Sequence, residues 1–268
     1  FHRGQNNRAV VTGKPLRLGG SLGRDSATGR GCLNATERFL EHRLVDGLHS
    51  LSGARVAIQG MGNVGANSMR LFHEAGARIV CVTDSQGGVA DEAGLDPREV
   101  LAHKAEHGSV VGLPETKTIT NEDLLACDCD ILIPAALECQ IRADNADAVQ
   151  ARLVVEAANA PVTPEADDIL QKRGVIVLPD VVANGGGVVV SYFEWVQNLE
   201  NQQWQLDEIE KKLKYKMETA VDAIVARWQL IRDGGKRDDG VSPTLRDAAL
   251  VEAIRRLSEV ILQRDIWM

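Results

Sequence analysis

The chain has 268 residues, a formal net charge of −8 and an aromatic content of only 4%. An acidic balance of that size repels phosphate backbones and anionic lipid, so neither nucleic acid nor membrane is expected as a partner. No apolar run approaches the roughly 20 residues of a membrane helix, and five cysteines without a framework spacing point to a reduced, cytoplasmic setting.

The polar opening FHRGQNN lacks the apolar centre of a secretion signal. Residues 1–30 read as a connector, with Gly13-Lys14-Pro15 and Gly19-Gly20-Ser21 as loop punctuation. From Ala27 a helical pattern runs through Phe39, Leu40, Leu44 and Leu48, and Gly53 breaks the chain after it.

The stretch from Arg55 to Asp84 organises the rest of the chain. Val56-Ala57-Ile58 is a short apolar run that ends in Gly60-Met61-Gly62-Asn63-Val64-Gly65. Helical spacing continues through Met69, Leu71, Phe72 and Ala75, and a second apolar run, Ile79 to Val82, stops at Asp84. Strand, glycine turn, helix, strand and acid stand in the order of a dinucleotide-binding βαβ unit. Gly60 permits the tight turn, Gly62 lets the backbone approach a pyrophosphate, and Gly65 lets the helix pack close to the sheet. The N–H groups of Asn63 and Val64 would face the anion at a helix N-terminus. Asp84 is placed to accept hydrogen bonds from the adenosine ribose.

Beyond Asp84, Gln86-Gly87-Gly88 reads as a turn, and Asp96-Pro97 starts a helix that Gly108 ends. Thr120 or Asn121 caps a short helix over Glu122 to Cys127. Asp130 to Pro134 and Leu153 to Val155 are buried strands, with a short helix near Ala143 to Gln150 between them. Thr163-Pro164 opens a helix ending at Gly174, and Val175 to Leu178 is the next strand. After the glycine run from Asn184 to Gly187, Val188-Val189-Val190 favours a strand by propensity. The absence of a turn signal as far as Leu199 leaves a buried helix open. Asp207 with Glu210 makes a capping-box pattern. It precedes a long helix with Leu206, Ile209, Leu213, Met217, Val221, Ile224, Trp228 and Ile231 on one stripe. Asp233 to Gly240 is a polar loop. Ser242-Pro243 starts the last helix, whose apolar side carries Leu245, Ala249, Ile254, Leu257 and Ile261. The expected fold is α/β: a Rossmann-like, doubly wound, mostly parallel sheet with long C-terminal helices.

Three further patterns read as structure. His103-Lys-Ala-Glu-His107 fits a zinc motif, but no third ligand is apparent and the segment reads as a solvated helix face. Cys127 and Cys129 read as two buried thiols before a strand. The lysines at 211, 212, 214 and 216 read as a solvated face.

Longer stretches carry a family resemblance. Thr12 to Leu16, Leu18 to Arg24 and Ala27 to Gly31 resemble the segment that joins the two domains of glutamate dehydrogenases. Glu156-Ala-Ala-Asn-Ala-Pro161, Leu178-Pro-Asp180, Asn184 to Val188 and Ser191-Tyr-Phe-Glu-Trp195 resemble further blocks of that family, so the similarity covers essentially the whole chain. Gly185, Ala157, Ala160 and Cys139 depart from it, standing where Ala, Gly, Gly and Asn are usual.

The resemblance implies oxidative deamination of L-glutamate to 2-oxoglutarate and ammonium with a nicotinamide cofactor. It places Thr28 and Asn184 near the nicotinamide amide, and Asn159, Ala135 and Ala136 along the nicotinamide-side ribose. Val188 and Ser191 belong to the substrate site, where Ser191 would meet the side-chain carboxylate of glutamate. A buried hydroxyl with no carboxylate to meet is unfavourable, so Ser191 argues against the apolar substrates of leucine and phenylalanine dehydrogenases. Asp84 favours NAD, because a carboxylate repels a 2′-phosphate and no Arg or Lys follows it closely. Ser85 keeps NADP open, and the family uses an acid here with either cofactor.

The family's catalytic Lys and Asp lie in an N-terminal domain that this chain lacks, and Lys14 and Asp180 match positions without that role. Residues 1–30 would then be the connector from that domain, 31–200 the dinucleotide-binding domain, and 201–268 helices that return toward it. The resemblance implies a homo-oligomer at full length, a hexamer in the family. This chain alone is expected to bind cofactor with little or no turnover, and to expose an apolar patch on its last helices. A non-catalytic nucleotide-binding module and a branched-chain or aromatic amino-acid dehydrogenase are the competing readings.

Overall fold

The computed structural model describes residues 7–235 and 240–264. Its strands are β1 (Arg55–Gln59), β2 (Arg78–Asp84), β3 (Gly87–Ala90), β4 (Lys117–Ile119), β5 (Ile131–Pro134), β6 (Leu153–Val155) and β7 (Ile176–Leu178). They form one sheet in the order β4-β3-β2-β1-β5-β6-β7. β1 pairs in parallel with β2 and β5, and the parallel ladder continues through β6 to β7. β3 is antiparallel to both β2 and β4. The chain leaves β1 toward β2 on one side and comes back to β5 on the other. That reversal opens a crevice at the C-terminal ends of β1 and β5, where open α/β sheets hold their ligands.

The helices are α1 (Ala27–Glu41), α2 (Asn63–Glu74), α3 (Pro97–His107), α4 (Asn121–Leu125), α5 (Pro164–Lys172), α6 (Asp180–Ala183), α7 (Gly186–Glu200), α8 (Leu206–Asp233) and α9 (Leu245–Gln263). Alternation along the strands builds two cores. Val56, Ile58, Ile131, Ile133, Leu153 and Val155 face Phe39, Met69, Phe72 and Trp228 on one side of the sheet. Ala57, Leu132 and Val154 face Leu124 and Leu170 on the other. A sheet buried on both faces has near-continuous apolar strands, which is why these runs were readable.

Several local expectations are corrected. Gly87 and Gly88 are not a turn but the start of β3. A Cβ on Gly88 would stand 2.4 Å from the Val82 carbonyl oxygen, so glycine serves a close strand approach there. Val188 to Val190 belong to α7, because tertiary packing of Val190 and Phe193 overrides β propensity. α1 ends at Glu41, followed by Arg43 at φ 56°, so Leu44 and Leu48 lie beyond the helix. Between β5 and β6 only a 3-10 turn, Ala146–Ala148, forms. α8 begins after Gln205 without a side-chain cap, and Glu210 instead pairs with Arg30 at 2.9 Å. α9 begins after Thr244, whose hydroxyl makes a capping box with Asp247. Of its expected apolar side, Leu245 and Ala249 are buried, whereas Ile254 and Leu257 are 63% and 65% exposed. Within the loop from Asp233 to Gly240, residues 236–239 lie outside the described residues, as do residues 1–6 of the connector.

Candidate functional site

The glycine elbow has the conformation its residues imply. Gly60 sits at φ 91°, a left-handed backbone that favours glycine. A Cβ there would lie 2.8 Å from Ala136 Cβ, so the elbow is pressed against the strand end of β5. Gly65 is tighter: its Cβ would be 1.7 Å from the Gly60 carbonyl oxygen. Gly62 is the opposite case, with nothing within 4 Å. It is the N-cap of α2, and no side chain caps that end. The N–H groups of the first turn therefore keep their anion-binding capacity. The Asn63 amide donates to the Asp25 carbonyl at 2.7 Å, tying the helix start to the connector.

A cleft of 610 Å³ opens beside the elbow. Thr28, Val64, Ala135, Ala136, Asn159, Asn184, Val188 and Ser191 line it, so eight of the expected site residues meet in one place. Glycines explain how α7 reaches this position. A Cβ on Gly186 would stand 2.2 Å from the Ala27 carbonyl oxygen, and one on Gly187 would stand 2.7 Å from Thr28 Oγ1. α7 thus crosses α1 at backbone contact and presents Val188 and, three residues later, Ser191 to the cleft. The Asn184 amide donates to Asn159 Oδ1 at 2.8 Å and to the Ala158 carbonyl at 3.1 Å, which locks the two asparagines together.

Asp84 and Ser85 stand outside this cleft, at the end of β2. Ser85 is exposed and borders a separate hollow with Gln86 and Asn121. Asp84 turns its oxygens inward, accepting from Gln86 N at 2.9 Å, Ser109 Oγ at 3.1 Å and Val110 N at 2.8 Å. Burial pushes its carboxyl up, but these donors and Lys104 outweigh burial and hold it below the usual carboxylate range. Lys104 stands 3.6 Å from Asp84 Oδ2 and donates to the Met61 carbonyl at 2.7 Å. A base therefore faces Asp84 in space, although none follows it closely in sequence. Helical spacing alone cannot bring residue 104 to an elbow at residue 61.

Arg24 is the second residue that sequence reasoning did not assign. It lines the cleft, and its Nε donates to Ser191 Oγ at 3.0 Å. Its place in the Leu18 to Arg24 block was the available signal. Behind the cleft, Arg246 of α9 meets Glu156 at 2.7 Å, Asp167 at 3.1 Å and Asp180 at 3.3 Å. Glu156 also accepts from Val162 N and Asp180 N, and Asp180 accepts from Ala160 N. This cluster pins the loop that carries Asn159. Burial pushes the Glu156 carboxyl up to about 7, against the pull of Arg246. Asp180 is thus engaged in structure. Lys14 is likewise engaged, with its ammonium 2.5 Å from the buried Glu194 carboxylate. His103 and His107 stack on each other, and among the described residues no group of three His, Cys, Asp or Glu is arranged to hold a metal. No helix of the described residues is long and apolar enough to cross a membrane.

Known proteins are similar to this chain in sequence and in fold. The family described as Glutamate/Leucine/Phenylalanine/Valine dehydrogenase matches residues 19–264. A glutamate dehydrogenase of Thermotoga maritima is 43% identical over 259 residues, which are 96% of this chain and 59% of that protein. A hetero-hexameric glutamate dehydrogenase from Thermus thermophilus, in a leucine-bound form, superposes with a TM-score of 0.84 at 38% identity, covering 96% of this chain and 57% of that one. The glutamate dehydrogenase of Peptoniphilus asaccharolyticus superposes at 0.77 with 32% identity, covering 97% and 58%. The chain spans less than two thirds of the length of each of these relatives.

Proposed function

The chain belongs to the glutamate/leucine/phenylalanine/valine dehydrogenase family, and we propose that it supplies the cofactor-binding half of an enzyme that oxidatively deaminates L-glutamate. The products are 2-oxoglutarate and ammonium, and the reaction is reversible. The observation that carries the substrate assignment is the Arg24–Ser191 pair, 3.0 Å apart in the cleft. Arg24 donates to the hydroxyl oxygen, which leaves the hydroxyl hydrogen to donate outward. A guanidinium and a hydroxyl donor together suit a carboxylate. Both groups are half-buried, and the outward hydroxyl hydrogen would find no acceptor on the side chain of leucine or phenylalanine, which disfavours such substrates.

The fit to a nicotinamide dinucleotide rests on the open space at Gly62 and the uncapped start of α2. Asn63 and Val64 would hold the diphosphate through their N–H groups. Asp84 and Ser85 would meet the adenosine ribose, and Ala135, Ala136 and Asn159 the second ribose. Thr28 and Asn184 would orient the nicotinamide amide. A nicotinamide held there would supply the acceptor for the hydride on the substrate α-carbon. The chain's residues orient the two reactants and exclude water between α7 and the loop pinned by Glu156. The ionised Asp84 favours NAD, while Lys104 and Ser85 admit NADP. Proton transfer needs a lysine and a carboxylate across the cleft, and Lys14 and Asp180 do not fill those roles. We assign no catalytic residue to this chain, and we place the whole protein among homo-oligomers, of the size of the hexameric Thermus thermophilus relative.

The test uses two proteins. The 268-residue chain is expected to bind NADH or NADPH in a fluorescence titration and to show no glutamate-dependent reduction of either cofactor. The protein at the length of its relatives is expected to turn over glutamate, in preference to leucine or phenylalanine. Replacing Ser191 by alanine in that protein should raise KM for glutamate about tenfold, the loss of one charge-assisted hydrogen bond. No cofactor binding by the chain, glutamate oxidation by the chain alone, or a preference for leucine would overturn the reading.

A further inference from the structure

We propose that Cys81, Cys127 and Cys129 form a peroxide-reactive thiol site, in which Cys127 is oxidised first and Cys81 closes a reversible disulfide onto it. The site is independent of the cofactor cleft. Cys81 lies in β2, and Cys127 and Cys129 lie in the segment between α4 and β5. Cys81 and Cys129 are buried, whereas Cys127 is only half-buried and meets solvent. The sulfurs of Cys81 and Cys127 are 3.0 Å apart. A disulfide bond is about 2 Å long, so closing it needs a movement of about 1 Å.

The surroundings divide the roles. The Cys127 thiol reaches the Asp128 carbonyl at 3.7 Å. Its contacts with the Cys129 and Cys81 sulfurs, with the field of Arg55, outweigh burial and the Asp128 carboxylate and bring it down to about 4. Arg55 is held in place by Asp128 at 2.7 Å. Cys81 is pushed upward by its contact with Cys127 and by burial. Thiolate character and access select the attacking sulfur, and Cys127 has both. The remaining two cysteines differ. Cys32 is fully buried and pushed up to about 12, and Cys139 is an exposed thiol on a separate loop.

The chemistry balances with a hydroperoxide as the oxidant. The Cys127 thiolate attacks one peroxide oxygen, the O–O bond breaks, and the departing hydroxide takes a proton to leave as water. Cys127 is then a sulfenic acid. The Cys81 sulfur attacks the Cys127 sulfur, the S–O bond breaks, and the Cys81 proton leaves with the hydroxide as a second water. Two thiols and one peroxide give one disulfide and two waters, and a dithiol reductant reverses the change by exchange. The bond would tie the end of α4 to β2. The start of α4 already grips the same strand, since Asn121 accepts from Thr83 Oγ1 at 2.8 Å and donates to the Asp84 carbonyl at 3.1 Å.

The experiment treats the purified protein with hydrogen peroxide and maps its peptides without reductant. The expected product is a Cys81–Cys127 linked peptide pair with an intact-mass loss of about 2 Da, the two thiol hydrogens, restored by dithiothreitol. Cys81→Ser should stop the linkage and leave Cys127 as a sulfenic acid that dimedone traps. The rate should hold at about pH 5, where N-acetylcysteine added as a reference loses its thiolate about tenfold per unit of pH. A Cys127–Cys129 linkage, oxidation confined to Cys139, or a Cys127 rate that falls with pH alongside the reference would each overturn the proposal. The mapping of the unsubstituted protein decides the matter even where Cys81→Ser does not fold.

Discussion

Lys104 reaches from α3 to the glycine elbow, where its ammonium donates to Met61 O at 2.7 Å and stands 3.6 Å from Asp84. Under the proposed cofactor assignment that position carries two roles. The bond to Met61 would steady the elbow for any dinucleotide, while the charge beside Asp84 would offset the repulsion that a carboxylate exerts on a 2′-phosphate. The roles separate by measurement. Lys104→Ala is expected to weaken NADP about tenfold more than NAD, roughly 1.4 kcal/mol of a charge-assisted contact to phosphate. Fluorescence titrations with both reduced cofactors read the ratio, and an equal loss for both would assign Lys104 to the elbow alone. Asp84 itself was legible, because a carboxylate that ends the second strand of a βαβ unit has a fixed place relative to the first. Lys104 was not, because its place depends on how α3 folds back over the sheet. Arg24 was present in a recognisable block, yet only the fold brings its guanidinium to Ser191, 167 residues later.

The turn from β1 into α2 shows how glycines in one motif fail for different reasons. Gly65 packs against backbone, with the Gly60 carbonyl oxygen 1.7 Å from where its Cβ would be. A neighbour that is backbone cannot swing aside, so Gly65→Ala must push α2 away from the sheet. The expected result is a loss of about 1–3 kcal/mol in stability, together with cofactor binding. Gly62 has φ −81° and open space around it, so Gly62→Ala should cost under about 1 kcal/mol in stability. Its added methyl occupies the space that a diphosphate would enter, so cofactor affinity should still fall about tenfold or more. Thermal melts paired with titrations check both variants, and parallel losses in the two would show that Gly62 is not a point of ligand approach. This motif was readable because local sterics fix it. β3 was not, because Gly87 and Gly88 look like a turn until a partner strand is present. Nor did the sequence decide between helix and strand for α7, since what fixes the helix is the burial of Val190 and Phe193 in the core. The starts of α8 and α9 were displaced for a related reason: Glu210 finds Arg30, and Thr244 finds Asp247, where the sequence offered other partners.

At the scale of the whole molecule, α9 divides into two halves. Its first turns carry Leu245, Ala248 and Ala249 into the core, and Arg246 ties them through Glu156 to the loop that brings Asn159 to the cleft. Glu252 closes this half with ion pairs to Arg227, Arg255 and Arg256, which hold its carboxyl down at about 2. From Leu250 onward the helix turns apolar groups outward. Leu250, Ile254, Leu257 and Leu262 are 57%, 63%, 65% and 72% exposed, with Val251 and Val260 beside them. Residues at 250, 254 and 257 share one helical face, and a contiguous apolar face of this kind marks a surface that associates. The purified chain is therefore expected to self-associate as its concentration rises. Ile254→Glu with Leu257→Lys should shift light scattering toward monomer. Neither side chain belongs to the buried core, so the melting temperature should move little. A clean monomer at high concentration in the unsubstituted chain, or association that survives both charges, would place the contact surface elsewhere. The sequence showed the stripe but not which part of it the body covers. That division depends on where the core ends along the helix, and an amphipathic period carries no mark of it.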